Sequence, residues 1–144
     1  MKQLFVGAVA CTATLLTACQ GNNTQNEEAK KYASEAIALH DEIMPQISVF
    51  AKHDILVDSL LQNLAALKSA DAELDTAEVH QKLQSLKTKL ESANDKMMDW
   101  MNEYTPDSID ASYQQAEAGR LSALKTEFDQ VKYEAESLLA PYKK

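Results

Sequence analysis

Between residues 76 and 104 the apolar and aromatic side chains return at alternating spacings of four and three. They are Val79, Leu83, Leu86, Leu90, Ala93, Met97, Trp100 and Tyr104. A seam of that rhythm, kept for almost four heptads, predicts a helix packed in coiled-coil fashion over about 76–104. Asp75, with Glu78 three residues later, supplies a start signal of the capping-box type. Pro106 bars continuation and pushes the residue before it out of the helical region.

The last segment repeats the rhythm at Leu121, Leu124, Phe128, Val131, Ala135, Leu138 and Tyr142. Ser112 and Gln115 form a capping-box pattern ahead of it, so a helix is predicted over about 113–140. The first segment, about 28–69, is longer and less regular. Ala33, Ile37, His40, Met44, Ile47, Ala51, Asp54, Leu61, Leu64 and Lys68 trace an inner stripe with polar entries. Pro45 interrupts it. Met44 is a poor N-cap for a new helix, so one continuous helix kinked at Pro45 is predicted, with the Asp41 carbonyl deprived of its partner.

Short connections at about 70–75 and 105–112 make neighbouring helices antiparallel. The predicted fold is all-α: an up-down-up three-helix bundle with left-handed, coiled-coil-like packing. Helix one overhangs the others by about a dozen residues, or ~18 Å at 1.5 Å per residue. That overhang is either a stalk or a segment bent back over the bundle end. Composition agrees, since no stretch alternates with period two and Gly119 is the only glycine after residue 28.

The chain's start has a different character. Lys2 precedes the apolar run LFVGAVACTATLL (4–16), long enough for a signal sequence and short for a spanning helix. It ends in LTAC (16–19), which resembles the bacterial lipobox. That resemblance implies cleavage before Cys19 and acylation of Cys19, with 1–18 as a lipoprotein signal peptide. Cys11 leaves with the signal, so no thiol remains for a disulfide. Gln20 stands where inner-membrane retention places Asp, which implies the periplasmic face of the outer membrane. The polar stretch QGNNTQNEE reads as a flexible tether, 19–27, ahead of a helical domain over 28–144. The net charge of -8 becomes -9 once Lys2 is removed, which disfavours nucleic acid as a partner.

Candidate chemistry collects in two stretches, HDEIMP (40–45) and MMDWMNEY (97–104). Folding the first two helices together sets Met101 opposite Met44 and Tyr104 near Asp41. The second turn brings Tyr113 beside Tyr104, and Ala116, Ala118 and Gly119 to the level of Trp100. Glycine inside a helix costs about 1 kcal/mol relative to alanine, and room for the Trp100 indole accounts for Gly119. Two readings compete. His40, Met44, Met97 and Met101 present the imidazole and thioethers that suit Cu(I) or haem. Alternatively Met44, Met97, Trp100, Met101, Tyr104, Tyr113 and Gly119 are a structural cluster in which methionine fills irregular gaps. The second is the expectation, with no cofactor and no metal site. His53 and His80 read as surface residues. No HExxH, Glu-x-x-His, GxSxG, phosphate loop or cysteine nucleophile occurs, so an enzyme is not expected.

HDEIMP with a later MMDWMNEY, behind a lipobox, resembles a group of small bacterial envelope lipoproteins. Some carry the label "viral A-type inclusion protein", which reflects coiled-coil composition. The resemblance spans most of the chain after Cys19. It implies a helical envelope lipoprotein and brings no activity or ligand with it. The expected function is a non-enzymatic interaction module anchored in the membrane by lipid, with an envelope protein as partner. The alternatives are copper or haem binding at the His40 and methionine cluster, or an apolar small ligand at the same bundle end.

Overall fold

The computed structural model describes residues 20–142, and all their regular structure is helical. Helices α1 (Gln20–Gln62), α2 (Leu64–Ala70), α3 (Thr76–Glu103) and α4 (Ala111–Leu139) are followed by a 3-10 turn at Ala140–Tyr142. The stretch 1–18 expected to be a signal peptide, and Cys19, lie outside the described residues.

Four helices stand where the pattern predicts three, because the first is divided at Asn63. The Asn63 side-chain amide donates to the Ser59 carbonyl at 2.7 Å, and its backbone N–H reaches Leu60 at 3.1 Å. Asparagine thereby offers the backbone an alternative to helix continuation. Beyond α2, Lys68 closes the turn by donating to the carbonyls of Ala72 (2.6 Å) and Leu74 (2.8 Å). A second difference lies at the start. α1 begins at Gln20, so residues 20–27 are helical where a flexible tether is expected.

α1 runs through Pro45 without ending, and Ser48 Oγ donates to the Pro45 carbonyl at 3.1 Å. Asp75 caps α3 as predicted, accepting from the N–H groups of Ala77 and Glu78. Glu78 itself turns to Lys82 at 2.6 Å. The start of α4 needs correction. Its cap is Asp110, which accepts from Ser112 and Tyr113 N–H, and not the Ser112–Gln115 pair. A carboxylate there also meets the positive end of the helix dipole.

On α3 the predicted seam holds: Leu83, Leu86, Leu90, Ala93, Met97 and Trp100 are buried, with Val79 and Tyr104 packed at either end. On α4 the seam is Leu121, Leu124, Phe128, Val131, Ala135 and Leu139, with Leu138 and Tyr142 at its margin. The stripe on α1 is wrong in register. Ala29, Ala36, Ile43, Phe50 and Val57, spaced by seven, are the buried line, whereas Ile37 is 43% exposed and Ala51 is exposed. Phe50 stacks on Phe128 of α4 with ring centroids 4.8 Å apart. His53, expected on the surface, is buried on this face; His80 is exposed.

Cross-links give the running directions. Lys87 meets both Asp54 (3.4 Å) and Asp58 (2.8 Å), while Trp100 lies near His40, so α3 descends as α1 ascends. Lys89–Glu134, Lys96–Glu127 and Glu103–Arg120 set α4 antiparallel to α3. Lys125–Glu42 and Gln46–Asp129 set it parallel to α1. The early part of α1 is covered. Ala29 is only 2% exposed, and Pro106, Asp107, Ser108 and Ile109 of the α3–α4 loop line a cleft with Asn26, Ala29, Lys30 and Ala33. From Ala29 onward, therefore, α1 is not a bare stalk. No described helix is long and apolar enough to cross a membrane.

Candidate functional site at the aromatic end

The heptad seam of α3 ends on two aromatic residues, and the loop after it returns a third. Trp100 and Tyr104, one turn apart, stack with centroids at 4.4 Å and planes 21° apart. Tyr113, in the first turn of α4, continues the ladder at 6.4 Å from Tyr104. The His40 ring lies 6.0 Å from that of Trp100, and its Nδ1 lies 3.0 Å from Asp41 Oδ1. The two stretches singled out in the sequence do meet, as the antiparallel register of α1 and α3 requires.

Gln114 organises this end. It is fully buried. Its Nε2 lies 3.1 Å from each of the carbonyl oxygens of Thr105, Pro106 and Ser108, so two N–H bonds are shared among three acceptors. Its Oε1 accepts from the Tyr104 hydroxyl at 2.8 Å. The Thr105 N–H donates to the Tyr113 hydroxyl at 2.8 Å. One amide thus replaces the helical partners that the chain loses between α3 and α4, which is what a buried polar side chain must do to be tolerated. Burial, and after it the proximity of Tyr113 and Glu117, pushes the Tyr104 hydroxyl above its ordinary pKa.

The predicted cluster is brought together only in part. Met97 is fully buried and Met44 is packed against the core. Met101 is 40% exposed. Thus His40, Met44, Met97 and Met101 do not form one enclosed donor set. Among the described residues there is no group of three or more His, Cys, Asp or Glu side chains placed to hold a metal ion. Gly119 is exposed, and a Cβ there meets no atom within 4 Å, so it does not make room for the indole. The Glu103–Arg120 and Lys96–Glu127 pairs on either side of Trp100 put it level with about Ala123 of α4, roughly one turn further along than predicted. Trp100 is 3% exposed, and its indole N–H has no acceptor among the described residues.

A cleft of about 380 Å³ lies beside Trp100 between α3 and α4. Lys96–Glu127 (2.7 Å) and Arg120–Glu103 (3.1 Å) cross it. Arg120 also holds the largely buried Glu117 at 3.2 Å. Such a rim is charged and internally paired, unlike the apolar pocket that the alternative of a small apolar ligand at this end calls for. A larger groove lies at the opposite end, lined by residues of α3 between 78 and 85 and by residues between 130 and 142 at the α4 terminus.

Gln114, Glu117 and His53 are the buried polar residues that sequence reasoning missed. For Gln114 the signal existed: it precedes Leu121, Phe128 and Ala135 at strict seven-residue intervals. This chain matches no family model, no curated protein and no solved structure.

Proposed function

We propose that this protein is a lipid-anchored, non-enzymatic binding module of a bacterial envelope. In this reading Cys19 carries the acyl chains, the anchor sits in the periplasmic leaflet of the outer membrane, and α1, α3 and α4 form an up-down-up bundle with α2 as an appendage. The observation that supports it best is the continuity of α1 from Gln20 into the buried line that starts at Ala29. A lipid on the preceding residue would then hold a stiff body directly at the membrane. The aromatic end would face the bilayer. The opposite groove, some 30 to 40 residues beyond Gln20 along α1, would stand roughly 50 Å from the anchor at 1.5 Å per residue.

A binding role suits a fold whose candidate end is devoted to internal bonding. Gln114 and Tyr113 bond the α3–α4 loop and the Tyr104 hydroxyl bonds Gln114, leaving no nucleophile with an adjacent base among these residues. The test is fractionation of cells expressing the full chain. Wild type is expected in the membrane pellet after a carbonate wash, and Cys19→Ser in the soluble fraction or unprocessed. One acyl chain binds membranes marginally, whereas several give stable anchoring. Retention of a Cys19→Ser chain that has lost residues 1–18 in the washed pellet overturns the lipid anchor.

A further inference from the structure

The groove of about 1040 Å³ between the start of α3 and the end of α4 has a distinctive division of chemistry. Its apolar surface comes from Val79, Leu138, Pro141 and two tyrosines. Tyr133 is 76% exposed, an expensive place for an aromatic ring, while Tyr142 is half-buried at the 3-10 turn. The charged residues of the wall are already neutralised: Glu78 pairs with Lys82 at 2.6 Å, and Glu134 with Lys89 at 2.7 Å. What remains uncommitted is neutral. The side chains of Gln81, Ser85, Gln130 and Ser137 all line the groove, and none has a hydrogen-bond partner among the described residues.

We propose that this groove binds a neutral saccharide. An ionic ligand would have to break existing ion pairs to find a counter-charge. A purely apolar ligand would bury the two amides and two hydroxyls without partners, at a cost for each. A sugar ring satisfies both halves of the wall. Its C–H face lies against an aromatic ring whose face is electron-rich, and its hydroxyls donate to and accept from amide and hydroxyl side chains. The size is that of a small-ligand site, at the upper edge of the ~300–1,000 Å³ typical of such pockets. The inference deepens the binding role proposed above by naming a ligand class, and it does not depend on the lipid anchor.

The test is a calorimetric titration of the purified full chain in detergent with three neutral trisaccharides: the N-acetylglucosamine trimer, cellotriose and maltotriose. At least one is expected to bind, and Tyr133→Ala and Gln130→Ala are each expected to weaken it about tenfold or more, a factor of ten being 1.4 kcal/mol. Both side chains are exposed, so neither variant threatens the fold. Asp99→Ala, at the other end of α3, is expected to bind as wild type does. No heat with any of the three sugars overturns the proposal, as does binding that survives Tyr133→Ala unchanged. Displacement of a bound sugar by an amphipathic helical peptide leaves the groove a sugar site. Peptide binding there with no sugar binding overturns it. Failure of the Cys19 fractionation leaves this result untouched, so the two claims fall separately.

Discussion

The Tyr104 hydroxyl donates to Gln114 Oε1 at 2.8 Å across the break between α3 and α4. Ten residues apart in sequence, the two side chains hold the end of one helix to the start of the next. Because Gln114 is fully buried, its loss cannot be made good by water at the same point. Gln114→Ala and Gln114→Leu are each expected to destabilise by about 1–3 kcal/mol in urea, since the Tyr104 hydroxyl loses its acceptor and the Thr105, Pro106 and Ser108 carbonyls lose their shared donor. Gln115→Ala, on the exposed side of the same turn, is expected to be close to neutral. A Gln114→Leu midpoint equal to wild type would contradict this role.

Tyr104 also sets an alkaline limit. Its pKa is raised above the ordinary 10.0, chiefly by burial. The unfolded chain therefore releases that proton first. The stabilisation is fully present below pH 10.0 and is lost as pH rises through the folded value. Physically, a phenolate would face Gln114 Oε1, acceptor against acceptor. Thermal melts from pH 8 to 11 are expected to show wild type losing its advantage over Tyr104→Phe above about pH 10. Parallel pH curves for the two proteins would exclude the mechanism.

Gly119 offers a test with the opposite sign from sequence expectation. If it cleared space for the indole, alanine would clash. A Cβ meets nothing within 4 Å, so Gly119→Ala is expected to raise stability by about 0.5–1 kcal/mol through helix propensity alone. Differential scanning calorimetry decides it, and a lowered melting temperature would restore the packing explanation.

The register of α1 can be tested by one pair of isoleucines. Ile43 is fully buried and Ile37 is 43% exposed. Ile43→Ala is expected to cost about 2–5 kcal/mol as a core truncation, and Ile37→Ala well under 1 kcal/mol. Equal losses in equilibrium unfolding would favour the stripe drawn through Ile37.

These cases show where the pattern was readable. The α3 seam is all apolar and continuous, so four-three spacing alone finds Leu83 through Trp100. On α1 the true line opens with Ala29 and Ala36, small residues that carry little hydrophobic signal, while His40 and Met44 give the neighbouring face the stronger pattern of candidate ligands. The seven-residue interval Ile43–Phe50–Val57 was present and outweighed. Gln114 escaped for a different reason: a polar side chain at a core position is tolerated only because the loop presents three carbonyls and a hydroxyl to it. Those partners come together only on folding. The aromatic end was legible as a meeting point of Trp100, Tyr104, Tyr113 and His40. Its polar wiring was not.

The lipid-anchored reading rests on Cys19, and the chemical state of the chain's first residue tests it most directly. Protein extracted from bacterial membranes can be digested and its N-terminal peptide weighed by mass spectrometry. The account predicts a peptide that begins at Cys19 and carries the added mass of acyl chains on that residue. An intact N-terminus that retains residues 1–18, or a mature peptide beginning elsewhere without acylation, would contradict it.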